Sequence, residues 1–407
     1  MIGKIGLFAM IENQFTPKKE IIPRIEKLQA DMKENGCDGV LIIHHTNLFY
    51  FSGTSQNGHL FIPCSGKPLL MIKKSFARAK KESAIENIIL LKSLKKLYQT
   101  IQEKGYNDLK RVGFELDVIP YNIYSLYKRI FKNSEIIDIS DSVKKIRLLK
   151  SSYEIDLIKR ACLALDEVFC IVPEMIREGM TEIELASLFE AGLRKRGYSG
   201  CSKMRAFNQD FFFGNLVSGS NGAVPTYFDG PVGGSGLTPA NNPHGAGWKK
   251  IRKNEIIYID YTCVKDGYTS DAARIFTLGD VPDKLQMAHR AALSIKKGLM
   301  EFAKPGVMCQ DIYNRAIELA SKTKFSDNFM GIGENKVKFV GHGVGLELDE
   351  FPIFANGIRM KLKPGMTFAL EPKFVFEEGA VGIENTYVVE KNGVKALNFM
   401  PEEITVI

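Results

Sequence analysis

The sequence predicts an α+β protein in two parts: a smaller α/β domain over residues 1–148 and a larger α+β domain over residues 149–407. A chain of 407 residues exceeds one ordinary domain. Residues from about 17 to 140 alternate helical and strand patterns, as a layered α/β domain does. The last third instead gathers four carboxylates and a histidine onto short β-branched and aromatic runs broken by tight-turn dipeptides.

In chain order, PKKEIIPRIEKLQADMKENG reads as a helix stopped at Gly36. GVLIIHH, NLFYFSG, HLFIP and PLLMIKK read as short strands. Helical patterns over about 75–85, 93–104 and 120–132 are separated by the strand runs IIL, RVGFEL and EIIDIS. His44, His45 and His59 lack a spaced carboxylate partner, so they read as polar strand-end residues in preference to a metal cluster. The division falls near SVKKIRLLKSSYEIDLIKRA. There Ser151 and Glu154 form a capping box that starts a helix running to about Arg177. Thr181 and Glu184 form a second box and open TEIELASLFEAGLRKRG.

A faint internal repeat follows. RACLALDEVFCIVPEMIREGM plus a helix resembles RAALSIKKGLMEFAKPGV plus a helix, with Gly179 and Gly306 at equivalent turns. Each copy leads to a carboxylate-bearing hairpin, which predicts a pseudo-two-fold axis between the hairpins. LVSGSNGAVPTYFDGPVGGSGLTPANNPHGAGWKK, rich in Gly, Pro and Asn, reads as one long loop over a cleft.

Composition narrows the class. Hydrophobic content of 45% and charged content of 25% describe a globular chain. The net charge of +8 is spread through Lys-rich helices with no basic, aromatic-laced stripe, which argues against a nucleic-acid partner. No apolar run reaches a membrane span, and the opening MIGKIGLFAMIENQ lacks a leader's small-residue cleavage site. The seven scattered cysteines, with no CxxC pair, fit reduced thiols and a cytoplasmic protein. VSGSNG and GPVGGSG lack the lysine and the strand–helix context of a phosphate-binding loop.

The hairpins carry the chemistry. Ile256 to Tyr261, the Asp266-Gly267 turn and Tyr268 to Phe276 set Asp260 diagonally across from Asp271 on one face. A turn centred on Glu377-Glu378 sets Glu371 directly opposite Glu384. Like charges so placed repel, and a bound cation is the simplest remedy. Four carboxylates with His342 suit two hard or borderline divalent ions, such as Mn, Co, Fe or Zn.

At these residues the sequence resembles the pita-bread metallohydrolases, which include methionine aminopeptidase, Xaa-Pro aminopeptidase, prolidase and creatinase. The matching elements are the Asp260/Asp271 spacing, GHGVGL around His342, PGMTFALEP ending in Glu371, and GIEN at Glu384. The likeness runs from about residue 145 to the last residue. NLFYFSG is similar to the N-terminal domain of the prolidase-like members. The resemblance implies a pita-bread fold, two ions (Mn foremost) bridged by Asp271 and Glu384, Asp260 on one ion and His342 on the other, and Glu371 as ligand and proton shuttle. It also implies amide hydrolysis of a small peptide, a homodimer, and an active-site mouth shaped by the first domain, with Tyr50 or His59 as candidates.

Three departures from that pattern are visible. Thr226 in SGSNGAVPTYF stands where peptidases of the family carry a substrate-contacting His, Asp349 stands where they carry a second His, and Gly382 where many carry Arg. A carboxylate cannot donate to a developing oxyanion, and a hydroxyl does so weakly. His244 in the loop is the candidate replacement imidazole. The departures leave three readings: an Xaa-Pro dipeptidase or aminopeptidase, a creatinase-like hydrolase of a small non-peptide C–N bond, and a non-catalytic binding protein.

Overall fold

The computed structural model describes residues 15–200, 202–209, 214–240 and 243–407. Cys201 and the opening MIGKIGLFAMIENQ lie outside them. The contacts divide the chain into two compact units, 1–146 and 147–407.

The first unit contains α1 (Lys18–Glu34), β1 (Gly39–Ile42), α2 (His45–Ser52), β2 (Gly58–Pro63), β3 (Leu69–Ile72), α3 (Phe76–Glu82), β4 (Asn87–Leu90), α4 (Leu97–Glu103), β5 (Arg111–Phe114), α5 (Tyr121–Ile130) and β6 (Glu135–Asp138). Its strands form one mixed sheet in the order β4-β3-β2-β1-β5-β6. Leu41, Phe61, Met71, Val112 and Phe114 make its core with Leu97, Ile101 and Phe131. Each such fully buried side chain contributes roughly 1.5–3 kcal/mol.

One expectation fails here. NLFYFSG is helical (α2) and not a strand. Leu48, Tyr50, Phe51 and Ser52 are buried, and Gly53 closes the helix in the left-handed conformation with φ 79°. Burial against α1 overrides the strand propensity of the aromatic run. The same burial removes Tyr50 and His59 as mouth residues. His59 Nε2 bonds Tyr127 Oη at 2.6 Å, and the Arg24 guanidinium lies 4.1 Å from the Tyr50 ring centre.

Helix α6 (Ser140–Leu148), which falls in the stretch expected only to be a boundary, carries the chain across the division. The second unit then begins with α7 (Ser152–Phe169), α8 (Val172–Met175) and α9 (Glu182–Lys195). Both capping boxes form as expected. The first helix ends at Phe169, short of Arg177, and a separate turn of helix (α8) with Pro173 at its start follows. Strands β7 (Gly214–Ser218), β8 (Ile256–Lys265) and β9 (Tyr268–Thr277) follow, then α10 (Asp283–Phe302) and α11 (Cys309–Ser321). The remainder is β10 (Phe339–Val344), β11 (Leu348–Ala355), β12 (Thr367–Leu370), β13 (Lys373–Phe376), β14 (Gly379–Gly382), β15 (Asn385–Glu390), β16 (Gly393–Ala396) and β17 (Thr405–Val406).

Two principal sheets result, β17-β9-β8-β7 and β11-β10-β12-β15-β16, with β13-β14 as a separate ribbon. The order helices, then antiparallel sheet, occurs twice, as the internal repeat implied. The sheets meet at an Ala273–Glu384 bridge. Arg274, 2% exposed, clamps that seam by donating to the carbonyls of Ala273, Glu384 and Met400 and to Asn385 Oδ1. The expected loop is shorter than read: Leu216 to Ser218 belong to β7, paired with β8, and Gly219 to Ala223 form a 3-10 turn. Buried Glu182 anchors what remains, accepting from Ser218 N and Oγ, Asn221 Nδ2 and Gly247 N. Trp248, the single tryptophan, is 68% exposed on this segment.

Candidate metal centre

Both sheets deliver carboxylates to one recess. Strands β8 and β9 pair Asp260 with Ala273 and Thr262 with Asp271, so the two acids are diagonal neighbours on one face. Asp266 and Gly267 take positive φ of 52° and 87°, as a two-residue hairpin turn requires. The β12–β15 register, ending at Leu370–Asn385, continues through β13–β14, which begins at Lys373–Gly382. Glu371 and Glu384 thus face each other where one ladder hands over to the next.

His342, on β10 beside Ala369, joins the acids. Its Nε2 is 3.6 Å from Asp271 Oδ2, 3.7 Å from Glu371 Oε1 and 3.8 Å from Glu384 Oε1. Its Nδ1 is 3.2 Å from Asp349 Oδ1 and 3.3 Å from the Gly343 carbonyl. A proton on Nδ1 donated to the Gly343 carbonyl, with the Asp349 carboxylate beside it, leaves the Nε2 lone pair facing the acids, the arrangement a metal-binding imidazole needs. The Gly343 carbonyl and the Asp349 carboxylate together sit behind the His342 ring.

The residues fit a divalent ion. Ligand atoms of Asp271, His342 and Glu384 lie within 4.8 Å of one another, and among the described residues no other such group exists. Asp271 Oδ1 is buried with no hydrogen-bond partner, a vacancy that a cation satisfies. Burial, then the neighbouring carboxylates Glu384 and Asp260, push the Asp271 pKa well up, and burial with Asp260 does the same for Glu384. A cation would relieve both.

Lys373, which sequence reasoning missed, lies among these acids. It is 1% exposed. Its Nζ donates to Asp260 Oδ2 at 2.8 Å, to Glu371 Oε2 at 2.7 Å and to Glu384 Oε2 at 2.7 Å. Burial alone would lower its pKa, but Asp260, Glu371 and Glu384 outweigh burial and hold it well above the ordinary lysine value. The signal was present: Lys373 lies two residues past Glu371 in an extended run, hence on the same face. Asp260 Oδ2 also accepts from Tyr258 Oη at 2.7 Å.

The rest of the recess is built from the loop. His244 lines it together with Asp260, Phe228, Phe339 and Leu348. Thr226 lines a neighbouring hollow, and its Oγ1 is 2.9 Å from His244 Nδ1. Burial pushes the His244 pKa down to about 4 against the opposing pull of Asp260. Phe228 N donates to Thr226 Oγ1 at 3.3 Å, and the hydroxyl keeps a proton and a second lone pair with which it can meet His244 Nδ1 in either tautomer. The β10–β11 corner carrying Asp349, whose φ is 61°, is flanked by a buried ion network. Arg147 donates to Glu347 Oε2 at 2.7 Å and to Glu350 Oε1 at 2.5 Å, and Lys150 Nζ is 3.4 Å from Glu350 Oε2.

Comparison with known proteins agrees with this geometry. Residues 156–391 match the model of metallopeptidase family M24, and residues 24–149 match the creatinase/prolidase N-terminal domain. The chain is 27% identical to an Xaa-Pro dipeptidase of Pyrococcus furiosus over 385 residues, 94% of this chain and 99% of that protein. Among solved structures it resembles an Xaa-Pro dipeptidase from Bacillus anthracis (TM-score 0.81, 25% identity, 95% of this chain and 100% of that chain). It also resembles the prolidase of Pyrococcus horikoshii OT3 (TM-score 0.79, 26% identity, 94% and 99%).

Proposed function

Because this chain belongs to metallopeptidase family M24, we propose that it is a metal-dependent peptidase cleaving the amide bond of short Xaa-Pro peptides. The convergence of Asp271, His342 and Glu384 around a buried, unpartnered carboxylate oxygen carries this reading. We assign metal ligation to Asp271, His342 and Glu384, with Asp260 and Glu371 the further ligands that the family likeness supports, and with Mn2+ the first candidate among hard and borderline ions. The chain's units then serve as a 1–148 domain and a 149–407 catalytic domain.

A divalent ion held there supplies polarisation of the scissile carbonyl and a water ionised near neutral pH. The chain's own groups do the rest. Glu371 keeps Oε2 on Lys373 and presents Oε1 on the His342 side, so Oε1 is the oxygen available to move a proton. His244, neutral and protonated on Nε2, donates to the carbonyl oxygen as negative charge develops there. Thr226 holds the His244 ring at Nδ1, and the Gly343 carbonyl and Asp349 hold His342. Phe228, Phe339 and Leu348 supply apolar walls that suit a small ring and exclude water. The non-peptide alternative rests on Thr226, Asp349 and Gly382; His244, 2.9 Å from Thr226, supports replacement of one of the two lost imidazoles and so favours the peptidase reading. The six described cysteines are all unpaired, which supports a cytoplasmic setting, and the likeness to prolidases supports a homodimer.

The test is hydrolysis of a panel of Xaa-Pro dipeptides, Xaa-Pro-Yaa tripeptides and creatine, with Mn2+ and with a chelator. The expected outcome is dipeptide cleavage that Mn2+ supports, the chelator stops and His342→Ala abolishes. Cleavage of creatine alone, or of nothing in the panel, refutes the assignment.

A further inference from the structure

We propose that the Lys373 ammonium replaces one of the two expected cations, so that the chain holds a single divalent ion, at Asp271, His342 and Glu384. The inference rests on the metallopeptidase reading and narrows it. Three observations lead to it.

First, the ammonium sits on the oxygens that a second ion would need. It is bound to Asp260, Glu371 and Glu384 together. Asp260 and Glu371 are the acids absent from the Asp271–His342–Glu384 group, and both are held by Lys373. Its Oδ2 already accepts two hydrogen bonds, from Lys373 and Tyr258, so it is a poor chelator for anything further. A metal ion bound to these same oxygens would lie within a few ångströms of Nζ, two cations in a buried site where their repulsion is poorly screened.

Second, the backbone is built to admit this side chain. Gly382 pairs directly with Lys373 across the β13–β14 ribbon. A Cβ at 382 would meet Lys373 Cα and Cγ at 2.7 Å and the Pro372 carbonyl at 2.6 Å. The residue that departs from the resemblance as a lost arginine is thus the one that gives Lys373 its path inward. The two positions act as a pair: a cation enters from 373 because nothing projects from 382.

Third, the ammonium has no donor left. It carries three N–H bonds and no acceptor, and three carboxylate oxygens take all three. Lys373 is therefore a fixed counter-charge and a positioning residue for Glu371 and Glu384, and not a donor to substrate. Asp271, to which Lys373 does not donate, keeps a buried Oδ1 without a hydrogen-bond partner. One cation position is filled by the chain and one is left for a metal.

The experiment is Mn2+ binding to metal-stripped full-length protein, read by calorimetry, by elemental analysis after gel filtration and by electron paramagnetic resonance. Wild type is expected to bind one Mn2+ per chain with the spectrum of an isolated ion. Lys373→Gly is expected to double the stoichiometry to two and to give a spin-coupled pair. Two ions in wild type, or one ion in a folded Lys373→Gly variant, overturns the inference while leaving the metallopeptidase reading intact. No bound Mn2+ in wild type overturns both. Should Lys373→Gly fail to fold, judged by circular dichroism and gel filtration, the wild-type stoichiometry and spectrum decide alone.

Discussion

His342 is held from behind. Asp349 touches Nδ1 at 3.2 Å, and the imidazole meets the acids through Nε2. Such an outer partner sets the tautomer and the ring orientation of a metal-binding histidine. Asp349→Ala is therefore expected to weaken Mn2+ binding by about 10–100-fold without unfolding the chain, as a calorimetric titration beside a circular dichroism spectrum will record. His244 and Thr226 form a second pair, joined at 2.9 Å through Nδ1 and Oγ1. His244→Ala is expected to lower kcat on a cleaved Xaa-Pro dipeptide by about 100-fold, the usual effect of removing one oxyanion donor. Thr226→Val should lower kcat less, while Thr226→Ser, which keeps the hydroxyl, should stay near wild type. Equal rates for Thr226→Val and wild type would show that the hydroxyl does not hold the imidazole. The pairing of Asp260 with Asp271 and of Glu371 with Glu384 was legible in the sequence because strand alternation and turn chemistry fix which faces they share, whereas His342 was read from its Gly-flanked motif. Asp349's role was not, because its contact with His342 depends on a bulged β10–β11 pairing that no period reveals.

At the scale of elements, the hairpins behaved as local rules say, and the failures were tertiary. Asp266-Gly267 and Glu377-Glu378 turn where the dipeptides indicated. The NLFYFSG run turned helical because α2 buries its aromatic side chains, a gain that local propensity does not register. The helix expected to reach Arg177 breaks after Phe169, with Pro173 opening the short α8. The ribbon β13–β14 gives the element-scale prediction. Gly382→Ala forces its Cβ against backbone atoms of Pro372 and Lys373. Strain of that kind costs about 1–3 kcal/mol. A lowered urea midpoint is the expected reading, together with altered Mn2+ binding as Lys373 is displaced. The Arg147 network supplies another. Ionic partners draw the Glu350 pKa down to about 2 although burial opposes them. Arg147→Met leaves Glu347 and Glu350 buried without their guanidinium, which is expected to destabilise the fold by roughly 3–5 kcal/mol, measured by equilibrium unfolding.

For the whole molecule, the sequence foresaw two units and the layered α/β character of the first, because β–α alternation over residues 17–140 is a long and redundant signal. It did not foresee the joining of the two sheets by Arg274, whose partners lie more than a hundred residues away at Glu384, Asn385 and Met400. Acid sensitivity is a property of the whole fold. Burial pushes the His59 pKa down to about 4, with Lys73 adding to the effect, and burial also lowers that of His289. A group whose folded pKa lies below its unfolded value gives its full stability above the unfolded pKa. That stability is lost as pH falls toward the folded pKa. For His59 the window is pH 6.5 down to about 4, and the loss is roughly 3 kcal/mol at most. Urea midpoints at pH 7, 5.5 and 4 should fall across that window, and less steeply in His59→Phe. An unchanged slope in that variant would assign the acid sensitivity elsewhere.

The lone indole of Trp248 stands largely in water on the segment that also carries His244. With no other tryptophan to contribute background, any shift in its emission colour or quenching reports on that segment alone. The molecule thus carries its own optical gauge of that segment, readable without a dye.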